Sequence, residues 1–203
     1  MTASAETVLD TFVALISERG FAGVTLRDVA SAAGLGMAEL YRLYPDKVAL
    51  AGAFMARVDA AVLAGMPREA DPEETARDRL FDVMMRRYDV LKSSRAAMQA
   101  IRRAGLRDPL LALALGPALR RSMAAMLEAA GLSSEGLAGA VRQNGLLAIH
   151  HSVARVFDRD DTIDLSRTMA ALDSRLKTAE KWSQFFEKHA IRRTSKESDS
   201  RSA

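Results

Sequence analysis

Cysteine is absent from all 203 positions, which removes disulfide staples, thiolate metal ligands and a cysteine nucleophile together. Aromatic residues make up only 5% of the chain, and five prolines and twelve glycines leave few helix breakers. Ala, Leu, Arg, Met and Glu dominate instead, so helix formers outnumber strand formers nearly everywhere and an all-α protein is predicted. Long hydrophobic runs are missing too. The longest uncharged one, LLALALGPAL at 110–119, is half of the ~20 residues a membrane span needs. It reads as a buried core segment broken near Pro117, and no stable membrane insertion is expected. The first twenty residues alternate charged and apolar character, unlike a secretory leader, which points to the cytoplasm. No glycine-rich phosphate loop, nucleophile elbow or metal-ligand spacing is visible, so an enzyme is not expected. No catalytic residue, metal or cofactor is assigned.

Negative charge is not scarce where a basic surface would matter most. The net charge is +3, but positions 1–50 hold four basic residues (Arg19, Arg27, Arg42, Lys47) against six acidic ones, 4 − 6 = −2. Positions 181–203 hold six basic residues against three acidic ones, 6 − 3 = +3, so the carboxy-terminal end carries the excess. Its last stretch, 191–203, has almost no apolar content and is predicted to be a disordered basic tail.

What is present is helical punctuation. Segment 4–19 sets Val8, Leu9, Phe12, Val13, Leu15 and Ile16 on one broad face and stops at Gly20, as a helix with a C′ glycine does. Thr25 stands three residues before Asp28, a capping-box variant opening a short helix that Gly34 closes. A third helix runs from about Met37 to Tyr44, turning Leu40 and Tyr44 to one side and Tyr41 with Arg42 to the other, and Pro45 ends it. Asp46 caps a long fourth helix reaching Gly65 and Pro67. Further starts are predicted at Asp71-Pro72-Glu73-Glu74, at Ser93 or Ser94, at Asp108-Pro109 and at Ser133 or Ser134. A polar loop, DRDDTID, leads to a last helix from about Leu165 to Phe186.

In that last helix Leu165, Met169, Leu172, Leu176 and Ala179 follow 4, 3, 4, 3 spacing, a narrow seam for pairing with another helix. The partner helix lies either in a second subunit, making the seam a dimer interface, or in the same chain. Met84, Met98, Ile101, Met123 and Leu146, with Tyr88 and His150 as polar members, suit a flexible apolar effector pocket or an ordinary core. The pair His150-His151 does not converge on a metal, because adjacent helical residues point about 100° apart. One core-side and one surface histidine is expected. Trp182, Phe185 and Phe186 are expected to pack on the body, with a dimer or membrane contact as alternatives.

Helix, glycine-bracketed turn and helix, written Gly34-Leu35, Leu40-Tyr41, Tyr44-Pro45-Asp46-Lys47 after Thr25 and Arg27, resemble the head of the TetR family of bacterial regulators. The resemblance implies a helix-turn-helix head over 1–47, a helical effector-binding and dimerisation body over 48–190, and a homodimer reading two successive major grooves of operator DNA. It implies phosphate contacts from Thr25, Arg27, Tyr41 and Lys47, with Met37, Ala38 and Arg42 at base edges or the groove wall. Arg42 has the chemistry for guanine O6 and N7, whereas Met37 and Ala38 offer only apolar contact to a thymine methyl. Glu39 opposes phosphate. The implied function is a repressor released by an apolar small molecule. The run from LLAIHHSVARVF to the end of the last helix is also similar to TetR-fold lipid-binding accessory proteins of ubiquinone biosynthesis, which gives a second reading without DNA.

Overall fold

The computed structural model describes residues 5–66 and 73–181. These residues are all helix and connection, with no strand among them. The order is α1 Ala5–Arg19, α2 Leu26–Ala32, α3 Met37–Leu43, α4 Lys47–Ala64, α5 Ala76–Leu91, a 3₁₀ turn Lys92–Ser94, α6 Arg95–Arg107, α7 Pro109–Ala129 and α8 Gly136–Phe157. A further helix, α9, runs from 166 to 181. The predicted tail over 191–203, the residues Trp182, Phe185 and Phe186, and the dipeptide Asp71-Pro72 lie outside the described residues.

Local chemistry sets the head. Val8, Leu9, Phe12, Leu15 and Ile16 are the buried face of α1, and the helix ends where Gly20 takes φ +74°. Thr25 and Asp28 form the reciprocal capping box, with Thr25 N donating to Asp28 at 2.7 Å and Asp28 N donating to the Thr25 hydroxyl at 3.2 Å. The Thr25 hydroxyl, which donates to the Asp28 carboxylate at 2.6 Å, and then the Thr25 backbone N–H hold that carboxyl below its ordinary pKa. At the turn Gly34 has φ +70°, and Leu35 N donates back to Ala30 O at 2.9 Å, closing α2 over a left-handed residue that glycine adopts without strain. Tyr44, before Pro45, has already left the helix at φ −142°, ψ 106°.

Helix α4 begins in the head and ends in the body. Asp46 accepts from Ala49 N at 2.7 Å to start it. Arg57 pairs with Asp10 of α1 at 2.5 Å, while Asp59 pairs with Arg87 of α5 and accepts from the Ser122 hydroxyl of α7 at 2.7 Å. Residues two apart on a helix lie on nearly opposite sides. One side of α4 therefore holds the head and the other holds the body.

Several predicted boundaries are corrected. Helix α5 starts at the Thr75 cap, whose hydroxyl accepts from Asp78 N, and not at Glu73 or Glu74. Gly105 lies inside α6, which ends where Asp108 precedes Pro109. Helix α7 is neither buried over 110–119 nor broken at Pro117: it is unbroken for 21 residues, with Leu110 77% and Leu113 76% exposed. Pro117 removes the donor to the Leu113 carbonyl, at a position where the helix faces solvent. By length and composition α7 would suffice to cross a membrane, yet its other side packs on α4, α5, α6 and α8. The last helix starts at 166. Leu165 precedes it, fully buried at φ +56°.

Candidate nucleic-acid interface and effector cavity

On the head, Leu40 is the only fully buried residue of α3, and it ties the helix to the core. Its other faces are open. Met37, Ala38, Tyr41 and Arg42 are exposed, as are Thr25 and Arg27 at the start of α2. The structure thus brings six of the seven predicted DNA-contact residues onto the outer surface of α2 and α3. Arg42 rests with Nε donating to Ala38 O at 3.4 Å, so the rest of its guanidinium is directed outward. Two of the seven also hold the fold. The Thr25 hydroxyl is engaged with Asp28 at 2.6 Å. Lys47 is partly buried, donating to Phe21 O at 2.9 Å and Val24 O at 2.7 Å with its ammonium 4.7 Å from the Phe21 ring centre. Burial lowers its pKa from the ordinary lysine value. Lys47 therefore pins the α1–α2 connection behind α2 and α3, leaving a single N–H uncommitted. Sequence reasoning could not see this, because the acceptors are carbonyls more than twenty residues upstream.

The body holds a partly open cavity of about 300 Å³ between α4, α5, α6, α7 and α8. Tyr88, Met98, Ile101 and His150 line it, as predicted residues of the pocket. Met84, Met123 and Leu146 do not. They are 0–2% exposed and belong to the packed core, while Leu147, one position on, faces the space. A methionine or leucine in a helical stripe suits core and cavity equally, so the sequence carried no signal to separate them. Among the residues that reasoning missed are Met55 of α4 and Asp158 after α8.

The polar groups of the cavity are few and specific. Tyr88 Oη lies 3.2 Å from His150 Nδ1, and the two rings stack with centroids 6.0 Å apart. Burial, then the nearby Arg87 charge, holds His150 well below its ordinary pKa, and burial raises Tyr88. Both stay neutral across the physiological range, offering a hydrogen-bonding wall without charge. His151 is the surface member of the pair, although it reaches the cavity edge. Arg102 forms an ion pair with Asp158 at the same edge.

The predicted seam of α9 divides. Leu165, Leu172 and Leu176 are 0–4% exposed and packed in the chain's own core, so for them the partner helices lie in the same subunit. Met169 and Ala179 are exposed. The start of α9 is fastened by Asp160, which accepts from Thr162 Oγ1 at 2.5 Å and from Thr168 N and Oγ1, both at 2.7 Å. Burial pushes the Asp160 carboxyl up, and these hydrogen bonds outweigh it, leaving a pKa of about 2.

Residues 8–54, which span α1 to the first turns of α4, match the family described as bacterial regulatory proteins, tetR family. The head is thus similar in sequence to the domain of that family. The whole described chain also has the TetR fold. It is similar to a TetR transcriptional regulator from Nitrosomonas europaea ATCC 19718, with TM-score 0.69 and 20% identity over 87% of this chain and 97% of that one. A TetR regulator from Rhodococcus sp. RHA1 aligns with TM-score 0.63 and 20% identity, covering 85% and 93% of the two chains. Salmonella enterica GusR aligns with TM-score 0.56 and 20% identity, covering 85% and 95%. No curated protein sequence matches.

Proposed function

We propose that this chain is a DNA-binding transcriptional repressor that acts as a dimer and leaves its operator when an apolar small molecule fills the body cavity. The observation that carries the reading is the path of α4. The helix starts at Lys47, directly behind the reading helix, and its Met55 lines the cavity eight residues on. A ligand that pushes on Met55 shifts the helix that sets the head, and the differential affinity of the ligand for the two settings of α4 is the coupling energy. Arg42 supplies base discrimination, and Arg27, Tyr41 and the remaining Lys47 donor supply phosphate contacts. Met169, Ala179 and the exposed face of α8 are available to a second subunit.

Band-shift titration of fragments from the protein's own upstream region tests the proposal. A specific fragment is expected, with affinity falling as salt rises. Lys47→Ala weakens all fragments alike and also loosens the α1–α2 connection, whereas Arg42→Ala lowers preference among fragments. No preferred fragment at low salt, combined with isoprenoid lipid carried through native purification, would replace this reading with that of a lipid-binding accessory protein.

A further inference from the structure

Arg102 and Asp158 line not only the apolar cavity but also a second recess of about 290 Å³. The two spaces share a wall made of that ion pair. Gln99, Arg103, Arg155 and Arg159 complete the recess, so four guanidiniums face one carboxylate, 4 − 1 = +3. Arg155 and Arg159 sit at the carboxy-terminal end of α8, whose dipole favours cations. That accounts for two of the four. Arg102 and Arg103 come from α6, and among the described residues only Arg102 has a carboxylate partner. The excess charge is felt by its neighbours. After burial, the guanidiniums of Arg103, Arg155 and Arg159 lower the pKa of Arg102. Burial, then Arg102 and Arg155, likewise lowers that of His151.

We infer that the ligand of this cavity is an amphipathic carboxylate, its apolar body among Met98, Ile101, Leu115 and Leu147 and its head on Arg102 at the edge of the arginine recess. The inference rests on the effector-cavity reading proposed above. A planar carboxylate accepts two parallel N–H bonds from a guanidinium, and its charge relieves the repulsion among the four arginines. A neutral ligand of the same shape fills the cavity and leaves that repulsion in place.

Calorimetric titration of the full chain with decanoate, with 1-decanol as its uncharged match and with butanoate as the head alone, decides the matter. Decanoate is expected to bind at least about ten-fold more tightly than decanol, with the advantage shrinking as salt rises. The double variant Arg155→Gln/Arg159→Gln changes only exposed side chains, so it folds, and it brings decanoate toward the affinity of decanol. Equal binding of decanoate and decanol overturns the carboxylate inference while the cavity reading stands. Butanoate binding as tightly as decanoate overturns it as well, by showing an anion site independent of the cavity. Binding by none of the three overturns the inference and the effector-cavity reading together.

Discussion

The head and the body bury different things. In the head, the fully enclosed side chains of α1 to α3 are apolar, and the polar residues proposed to meet DNA stand outside on α2 and α3. In the body, Arg87, Ser122, His150, Asp160 and Thr168 are all buried among the described residues. An outer residue of the head such as Arg42 can thus change with little effect on folding, whereas the body's buried polar groups hold the fold, and His150 among them also lines the cavity. Arg87 is the extreme case: Nη1 is paired with Asp59, while Nε and Nη2 have no hydrogen-bond partner among the described residues. A buried guanidinium tolerated with only part of its donors satisfied depends strongly on its one carboxylate.

That dependence gives the largest expected effect. Asp59→Ala leaves the Arg87 charge enclosed and unpaired, and urea denaturation should show a loss of about 3 to 5 kcal/mol. A loss below about 1 kcal/mol would mean that the α4–α5 pair is not what fastens the body to the connecting helix. The head should behave in the opposite way. Arg42→Ala is expected to leave stability within about 0.5 kcal/mol of wild type while costing about 1 to 3 kcal/mol of discrimination against the wrong base. Anisotropy titrations on preferred and scrambled fragments check it. An equal weakening on both would reassign Arg42 to phosphate.

A smaller and pH-dependent effect belongs to Asp160. Its folded pKa of about 2 lies below the usual carboxylate value of 3.8, so its contribution is complete above about pH 4 and is lost as the pH falls toward 2. Thermal melts across that window should show a falling midpoint, and Asp160→Asn should flatten that part of the curve. An unchanged acid profile in the variant would remove Asp160 from the fastening of α9.

The same contrast explains what could be read from the amino-acid sequence. The head is written in local chemistry: Thr25 with Asp28, Gly34, Pro45 and Asp46 each act within five residues, and each stands where expected. The Asp108-Pro109 start of α7 is legible for the same reason. The body's decisive contacts are distant. Asp59 meets Arg87 and Ser122 across 28 and 63 positions, and Arg102 meets Asp158 across a turn of the fold that no spacing announces. Periodicity located the buried stripe of α9 but not its partner, because a seam facing its own core and a seam facing another subunit share one pattern. Lys47 shows the limit in the head itself, where a family-implied phosphate contact also proves to be a clamp on Phe21 O and Val24 O.

The claim that joins the two regions is that filling the cavity moves the head through α4. Gly116 lines the cavity, and a Cβ there meets nothing within 4 Å. Gly116→Leu is expected to take up open space at the cavity wall, from a helical position that also gains propensity. The most direct measurement is the affinity of this variant for the preferred DNA fragment, by anisotropy, beside that of the wild-type chain. The account predicts a variant that melts no lower than wild type and binds DNA at least about ten-fold more weakly, as a permanently liganded protein would. A folded variant with wild-type DNA affinity would contradict it.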